Sequence, residues 1–243
     1  GVNQSASGTD KANAIINCHL ATGRVGKVGA SPFSITGQPN AMGGREVGGL
    51  ANQLAAHMDF AKPADVARVK RFWQAPNIAE TAGLKAVDLF EAVESGKIKF
   101  LWVMSTNPMV SMPDADRFKR ALKNCEMVVV SDCIEKTDTT AIADILLPAA
   151  TWGEKDGTVT NSERRISRQR AFLPIPGKAK PDWWILSEVG KALGYAEQFN
   201  YERPADIFAE HAALSNFENN GTRDFYLGEL ANLSDEEYDQ LAP

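Results

Sequence analysis

Apolar side chains recur along this chain in two rhythms. In the first ninety or so residues, and again beyond residue 180, they return every three or four positions, which gathers them on one face of a helix. Ala14, Ile15, Cys18 and Leu20 predict a helix that Asp10 would cap and that runs to about Thr22. Further helices are predicted over Val47 to His57, over Ala64 to Trp73 (Val66, Val69, Phe72 and Trp73 in register) and over Leu84 to Ser95, ended by Gly96. Between residues 98 and 147 the rhythm changes to short unbroken apolar runs. Ile98 to Met104, Met127 to Val130 and Ile145 to Leu147 are predicted strands, the second and third buried as in the middle of a sheet. Helices at Asp114 to Asn124 and Thr137 to Ala143 separate them. Strand, helix, strand, helix, strand with short links predicts an α/β fold with a parallel sheet.

Beyond the third strand the pattern loosens. Thr158 to Arg170 is polar and extended, Pro174 to Pro181 is a loop, and helices are predicted at Asp182 to Leu193 and Pro204 to Leu214. Asn216 to Pro243 is acidic and poor in apolar residues, which predicts a linker with one short helix at Ser234 to Leu241.

Composition narrows the class. The chain has 243 residues with a formal net charge of -5, an ordinary balance for a globular protein and one that argues against non-specific nucleic-acid binding. No apolar run approaches the roughly 20 residues of a membrane span. Cys18, Cys125 and Cys133 form no CxxC pair, so they suit a reducing compartment and make no metal site by themselves. His19 is read as a capping or packing residue. The start at Gly1 and the end at Leu-Ala-Pro suggest a piece of a longer protein.

The candidate chemistry gathers at the strand ends, where ligands of open parallel sheets bind. Strand one is followed by Ser105, Thr106 and Asn107, strand two by Ser131 and Asp132, and strand three by Ala149 to Lys155, including Trp152. A carboxylate for a guanine edge or ribose hydroxyl, an ammonium for phosphate and an indole for stacking together suit a nucleotide. Asn, Ser and Asp at such ends also cap turns, which leaves the role of each one open. No GxGxxG or GxxxxGK[ST] follows a strand, and no HExxH or GxSxG occurs, which disfavours an ordinary NAD site, a P-loop, a zinc protease and a serine hydrolase. Arg164 to Arg170 is a basic run suited either to phosphates or to ion pairing along a strand.

Thr36 to Gly49 is the other rich stretch. Its Gly, Pro and Asn content predicts a loop rather than a helix. Gly43 and Gly44 would let backbone pass close to a ligand, and Arg45 is a planar donor suited to an oxyanion. A tight turn explains the same residues.

These motifs resemble those of the molybdenum nitrate reductases in the dimethyl-sulfoxide-reductase family. Thr36 to Gly48, Ser105 to Pro108, Ser131-Asp132, Leu147 to Arg165 and Lys180 to Trp183 carry the resemblance, in the family's order. It implies a Rossmann-like α/β/α architecture and a bis(molybdopterin guanine dinucleotide) molybdenum cofactor, with Gln4, Gln38, Asn107, Ser131, Asp132, Lys155 and Asp182 at cofactor-contacting positions. Met42 and Arg45 match the loop beside the metal and the substrate funnel, Arg45 orienting nitrate. The implied reaction is reduction of nitrate to nitrite in the cytoplasm, with electrons from a donor protein through a [4Fe–4S] cluster. By the same resemblance the cluster cysteines, the molybdenum ligand and a carboxyl-terminal β-barrel belong to other parts of the polypeptide, and none of Cys18, Cys125 and Cys133 matches the ligand position. Residues 1–80 and 84–200 would belong to two discontinuous lobes, the second holding guanine dinucleotide, with 201–243 a tail toward the next domain. Two other readings stay open. One is another reaction of the family, such as formate oxidation. The other is a nucleotide-binding or scaffolding module without catalysis.

Overall fold

The computed structural model of the chain describes residues 2, 5–35 and 37–242. Its contacts divide into two compact units, Gly1–Pro39 and Asn40–Pro243. In the first, helix α1 (Gly8–Ala21) starts two residues before the predicted cap, so Asp10 sits in its first turn, where a carboxylate complements the helix dipole. His19 Nδ1 donates to the Ala30 carbonyl at 2.7 Å and fastens the segment that follows.

The second unit begins with a departure from expectation. Ala41–Glu46 is a short helix, α2, inside the stretch expected to be a loop, while Val47 to His57 is not helical. Gly48 explains the switch: it has φ +75°, and a Cβ there would lie 2.6 Å from the Ala55 nitrogen. The chain turns back on itself instead, with Ala56 N donating to the Glu46 carbonyl at 2.7 Å. Leu54, Ala55, Ala56 and Met58 are thereby buried against Val66 and Val69 of α3 (Pro63–Phe72).

Next come α4 (Ala86–Glu94), β1 (Phe100–Met104), α5 (Pro108–Ser111), α6 (Ala115–Lys123), β2 (Met127–Asp132) and β3 (Ile145–Pro148). The strands form a parallel sheet in the order β1-β2-β3. Leu101 pairs with Val128 and Val103 with Val130, so these four side chains share one face, where they pack with Phe90 and Val93 of α4 and Phe118, Ala121 and Leu122 of α6. Two expectations fail here. The helix predicted over Thr137 to Ala143 shrinks to a 3-10 turn at Thr140–Ile142, because threonine hydroxyls compete for the backbone. Thr137 N donates to Thr140 Oγ1 at 2.7 Å, and Thr140 Oγ1 donates to the Glu135 carbonyl at 2.9 Å. Strand β3 is at an end of the sheet order and is not buried, with Ile145 44% and Leu146 36% exposed.

The polar stretch after β3 is an antiparallel hairpin, β4 (Gly157–Thr160) with β5 (Ile166–Gln169). Helices α7 (Asp182–Ala192), α8 (Pro204–Asn216) and α9 (Asp235–Gln240) complete the unit. The acidic tail is more than a linker. Phe225 joins the core beside Val66 and Leu214, and Tyr238 is buried against Phe208. The basic run meets this tail: Arg168, itself buried, pairs with Asp156 and with Asp239 (3.1 Å), and its guanidinium lies 4.3 Å from the Tyr238 ring centroid. Among the described residues no helix is long and apolar enough to cross a membrane.

Candidate functional site

The sheet register sets three strand ends side by side, since Met104 pairs with Ser131 and Asp132 with Pro148. After β1 the chain takes a left-handed step at Ser105 (φ +54°) and presents Asn107 at the start of α5. The Asn107 side chain is locked: its Oδ1 accepts from Thr139 Oγ1 at 2.6 Å, and Thr139 is fully buried. That leaves the amide N–H₂ of Asn107 as the group it can offer a ligand.

Asp132 closes β2 with an Asx turn, Oδ1 accepting from Ile134 N at 2.9 Å. Burial, and after it the Asp132 carboxylate, push the neighbouring Cys133 thiol up, while Lys155 pulls it down. Ser131 is placed differently from the expectation for a ligand contact. It is fully buried, its Oγ accepts from Trp102 Nε1 at 2.8 Å and its carbonyl accepts from Ser105 N at 2.9 Å. Its groups are used to hold the ends of β1 and β2 together.

The third strand end is joined by a segment distant in sequence. A parallel bridge between Ala149 and Lys180 carries the start of α7 alongside, and Lys155 Nζ donates to Asp182 Oδ2 at 2.7 Å. The other oxygen, Asp182 Oδ1, is buried with no partner among the described residues, an acceptor lacking a donor at the edge where the strands end. Trp152 is 69% exposed close by, edge-on to Phe172 at 5.1 Å.

On α2, Met42 and Arg45 are one turn apart, and Arg45 Nη1 donates to Met42 Sδ at 3.5 Å. Arg45 is exposed and has no carboxylate partner among the described residues. Glu46, the next residue, turns inward and is 2% exposed. Its Oε2 accepts from Thr160 Oγ1 at 2.8 Å, and its Oε1 lies 3.4 Å from Arg164 Nε. His57 and His211 stand near this carboxylate, both against the Phe225 ring. Burial holds both imidazoles below their ordinary value, with the Arg164 charge adding to the effect at His57. Gly43 allows no close backbone approach to a ligand from its own side. A Cβ there would collide with the Asn40 amide, whereas at Gly44 nothing lies within 4 Å.

The candidates thus fall into two groups. Lys155 and Asp182 touch, with Asp132 beside them; Met42 and Arg45 touch on α2. Strand β4 runs between the groups, from just after Lys155 to Thr160, about 17 Å of extended chain at roughly 3.4 Å per residue. Gln38 is exposed in the first unit, and Gln4 lies outside the described residues. Thr139 had no signal in the sequence, and although Asn40 and Thr160 lie within the motif stretches, only the folded chain shows what each of the three holds.

A model of the molybdopterin oxidoreductase family matches residues 1–192. The chain is 57% identical over its full length to a nitrate reductase of Klebsiella oxytoca, of which it covers 28%. It is 52% identical over its full length to a nitrate reductase of Shewanella frigidimarina, covering 26% of that protein. The alpha subunit of an F420-dependent formate dehydrogenase from Methanocaldococcus jannaschii is 39% identical over 86% of this chain, which covers 30% of it. The chain thus spans between a quarter and a third of the length of these relatives. The match over four-fifths of its residues and the polar edge of its parallel sheet agree: the chain belongs to the molybdopterin oxidoreductase family, whose members work with a molybdenum–pterin cofactor.

Proposed function

We propose that this chain is the central part of a molybdenum enzyme that reduces nitrate to nitrite and that it holds the guanine dinucleotide portions of a bis-molybdopterin cofactor. The observation that carries the reading is the exposed Arg45–Met42 pair, a guanidinium with no carboxylate partner among the described residues, in a chain 57% identical throughout to a nitrate reductase. A planar guanidinium matches a planar oxyanion with two parallel N–H donors, and the Met42 sulfur restrains its swing.

The residues at the strand ends fit the cofactor. Asp182 Oδ1 lacks a donor, and the N–H edge of guanine is one; Lys155 supplies a cation beside it for phosphate. The Asn107 amide adds a donor fixed by Thr139, Asp132 an acceptor, and Trp152 an exposed face for stacking. Ser131 serves by keeping two strand ends in register. Gln4 and Gln38 complete the proposed contacts. The cofactor, when bound, supplies the two-electron chemistry that converts nitrate, with two protons, to nitrite and water. Arg45 stabilises the charge that grows on the departing oxygen as the N–O bond breaks. The same reading places the working protein in the cytoplasm and divides these residues between lobes at 1–80 and 84–200 with a tail at 201–243. It assigns the [4Fe–4S] cluster, the molybdenum ligand and the docking of an electron donor to the remainder of the polypeptide. The identity to a formate dehydrogenase supports a second reading, the same cofactor serving formate oxidation.

The test is Arg45→Ala in the full-length protein, with reduced viologen as donor and rates taken per molybdenum atom. The expected result is a loss of about 100-fold in kcat/KM for nitrate, in the range seen when one transition-state donor is removed. An unchanged kcat/KM would remove Arg45 from the reaction, and turnover of formate in place of nitrate would favour the second reading.

A further inference from the structure

We infer that Thr160 is a positioning residue for the oxyanion-binding face of α2, held there by two hydrogen bonds that it makes to the two ends of that helix. The inference rests on the reading of Arg45 given above and goes beyond it to what aims Arg45.

The helix has six residues, too few to persist on its own. Its orientation must come from what grips it. Asn40, just before it, reaches back so that its Oδ1 accepts from Thr160 N at 2.8 Å. Glu46, its last residue, reaches inward so that its Oε2 accepts from Thr160 Oγ1 at 2.8 Å. One residue at the end of β4 therefore grips both ends of the helix. Thr160 and Glu46 are 4% and 2% exposed, so water cannot take the place of either partner. Gly43 belongs to the same device, because any side chain there would push the Asn40 amide off Thr160. With Glu46 turned in and tethered, the helix geometry leaves Arg45 turned out. The tether needs a residue with both a backbone N–H and a hydroxyl. Valine has the shape of threonine but would leave the buried Glu46 oxygen without its donor.

The experiment compares Thr160→Val, Thr160→Ser, Arg45→Ala and the double variant Thr160→Val/Arg45→Ala in the full-length, molybdenum-loaded protein, with rates per molybdenum atom. Two readouts are taken: nitrate kinetics, and hydrogen exchange of the backbone amides over residues 41–46. Thr160→Val is expected to lower kcat/KM for nitrate about tenfold, chiefly through kcat, and to speed exchange in α2 about tenfold. Thr160→Ser, which keeps the hydroxyl, should restore both. The double variant should be no worse than Arg45→Ala alone, because a misaimed side chain that is already gone cannot be lost twice. Where Arg45→Ala does lower kcat/KM, an unchanged kcat/KM in Thr160→Val overturns the inference, whatever the exchange, and so do fold-changes that multiply in the double variant. If Arg45→Ala itself leaves nitrate kinetics unchanged, it is the reading of Arg45 that falls. Exchange in Thr160→Val then still decides whether Thr160 holds the helix. Should Thr160→Val fail to accumulate, Glu46→Gln weakens the same tether from the other side, with about threefold effects expected on both readouts.

Discussion

Helix α1 has 14 residues and buries only Gly8, whereas α6 has nine and buries Phe118, Ala121 and Leu122. Ile15, Ile16 and Leu20 of α1 are 43%, 39% and 57% exposed, while Leu122 of α6 is 1% exposed. Both helices carry apolar residues at helical spacing, so the pattern that predicts a helix does not say how deeply it will pack. What separates them is the partner. The apolar stripe of α6 meets β1, β2 and α4 at a spacing that lets Phe118 stand edge-on to Phe90 with centroids 4.2 Å apart. Among the described residues the stripe of α1 has no such cover within its own unit, Gly1–Pro39.

The comparison can be broken at its strong end first. Leu122→Ala should destabilise the chain by about 2–5 kcal/mol, the usual loss when a buried leucine leaves a cavity, read as a fall in the urea midpoint. A smaller effect comes from charge, and it too belongs to the packed unit. His57 and His211 are held low by burial, so the folded chain refuses protons that the unfolded chain accepts below an ordinary histidine value of about 6.5. Unfolding then takes up protons, and stability should fall as the pH drops from 7 through that region. A series of urea midpoints between pH 7.5 and 5 would show it, and His211→Gln should flatten the slope. The smallest effect is expected at the other end of the comparison: Leu20→Ser should change stability by no more than about 0.5 kcal/mol, as for other exposed positions. A loss at Leu20 as large as at Leu122 would mean that α1 packs in solution in a way its exposure denies.

The parts of the fold legible in the sequence are those whose signal is local. Unbroken apolar runs marked the three strands, and 3.6-residue spacing marked α1, α3, α4, α6 and the helices after residue 180. What escaped depends on distant partners. Helix α2 hides behind Gly43 and Gly44, residues that weaken helices, because its support comes from Thr160, more than a hundred positions away. The tail looked like a linker because its apolar residues follow no regular spacing among many acidic ones, yet Phe225 and Tyr238 are buried in cores shared with distant segments. The same division runs through the site. Lys155 and Asp182 were each recognisable as strand-end and helix-start residues. Their 2.7 Å contact follows from the bridge between Ala149 and Lys180, which no spacing rule reveals. Ser131 carried the right chemistry at the right place, but a neighbouring indole had already claimed its oxygen.

Strand β3 has a further consequence. Among the described residues it has β2 on one side, and on the other only the single bridge from Ala149 to Lys180, just beyond its end. Along Ile145 to Leu147 the peptide groups of that outer side are spaced as a further strand would need them. The sheet can therefore grow there without disturbing β1 or β2. A strand from elsewhere on the polypeptide would find a template there, and so would the edge of a second copy of this chain.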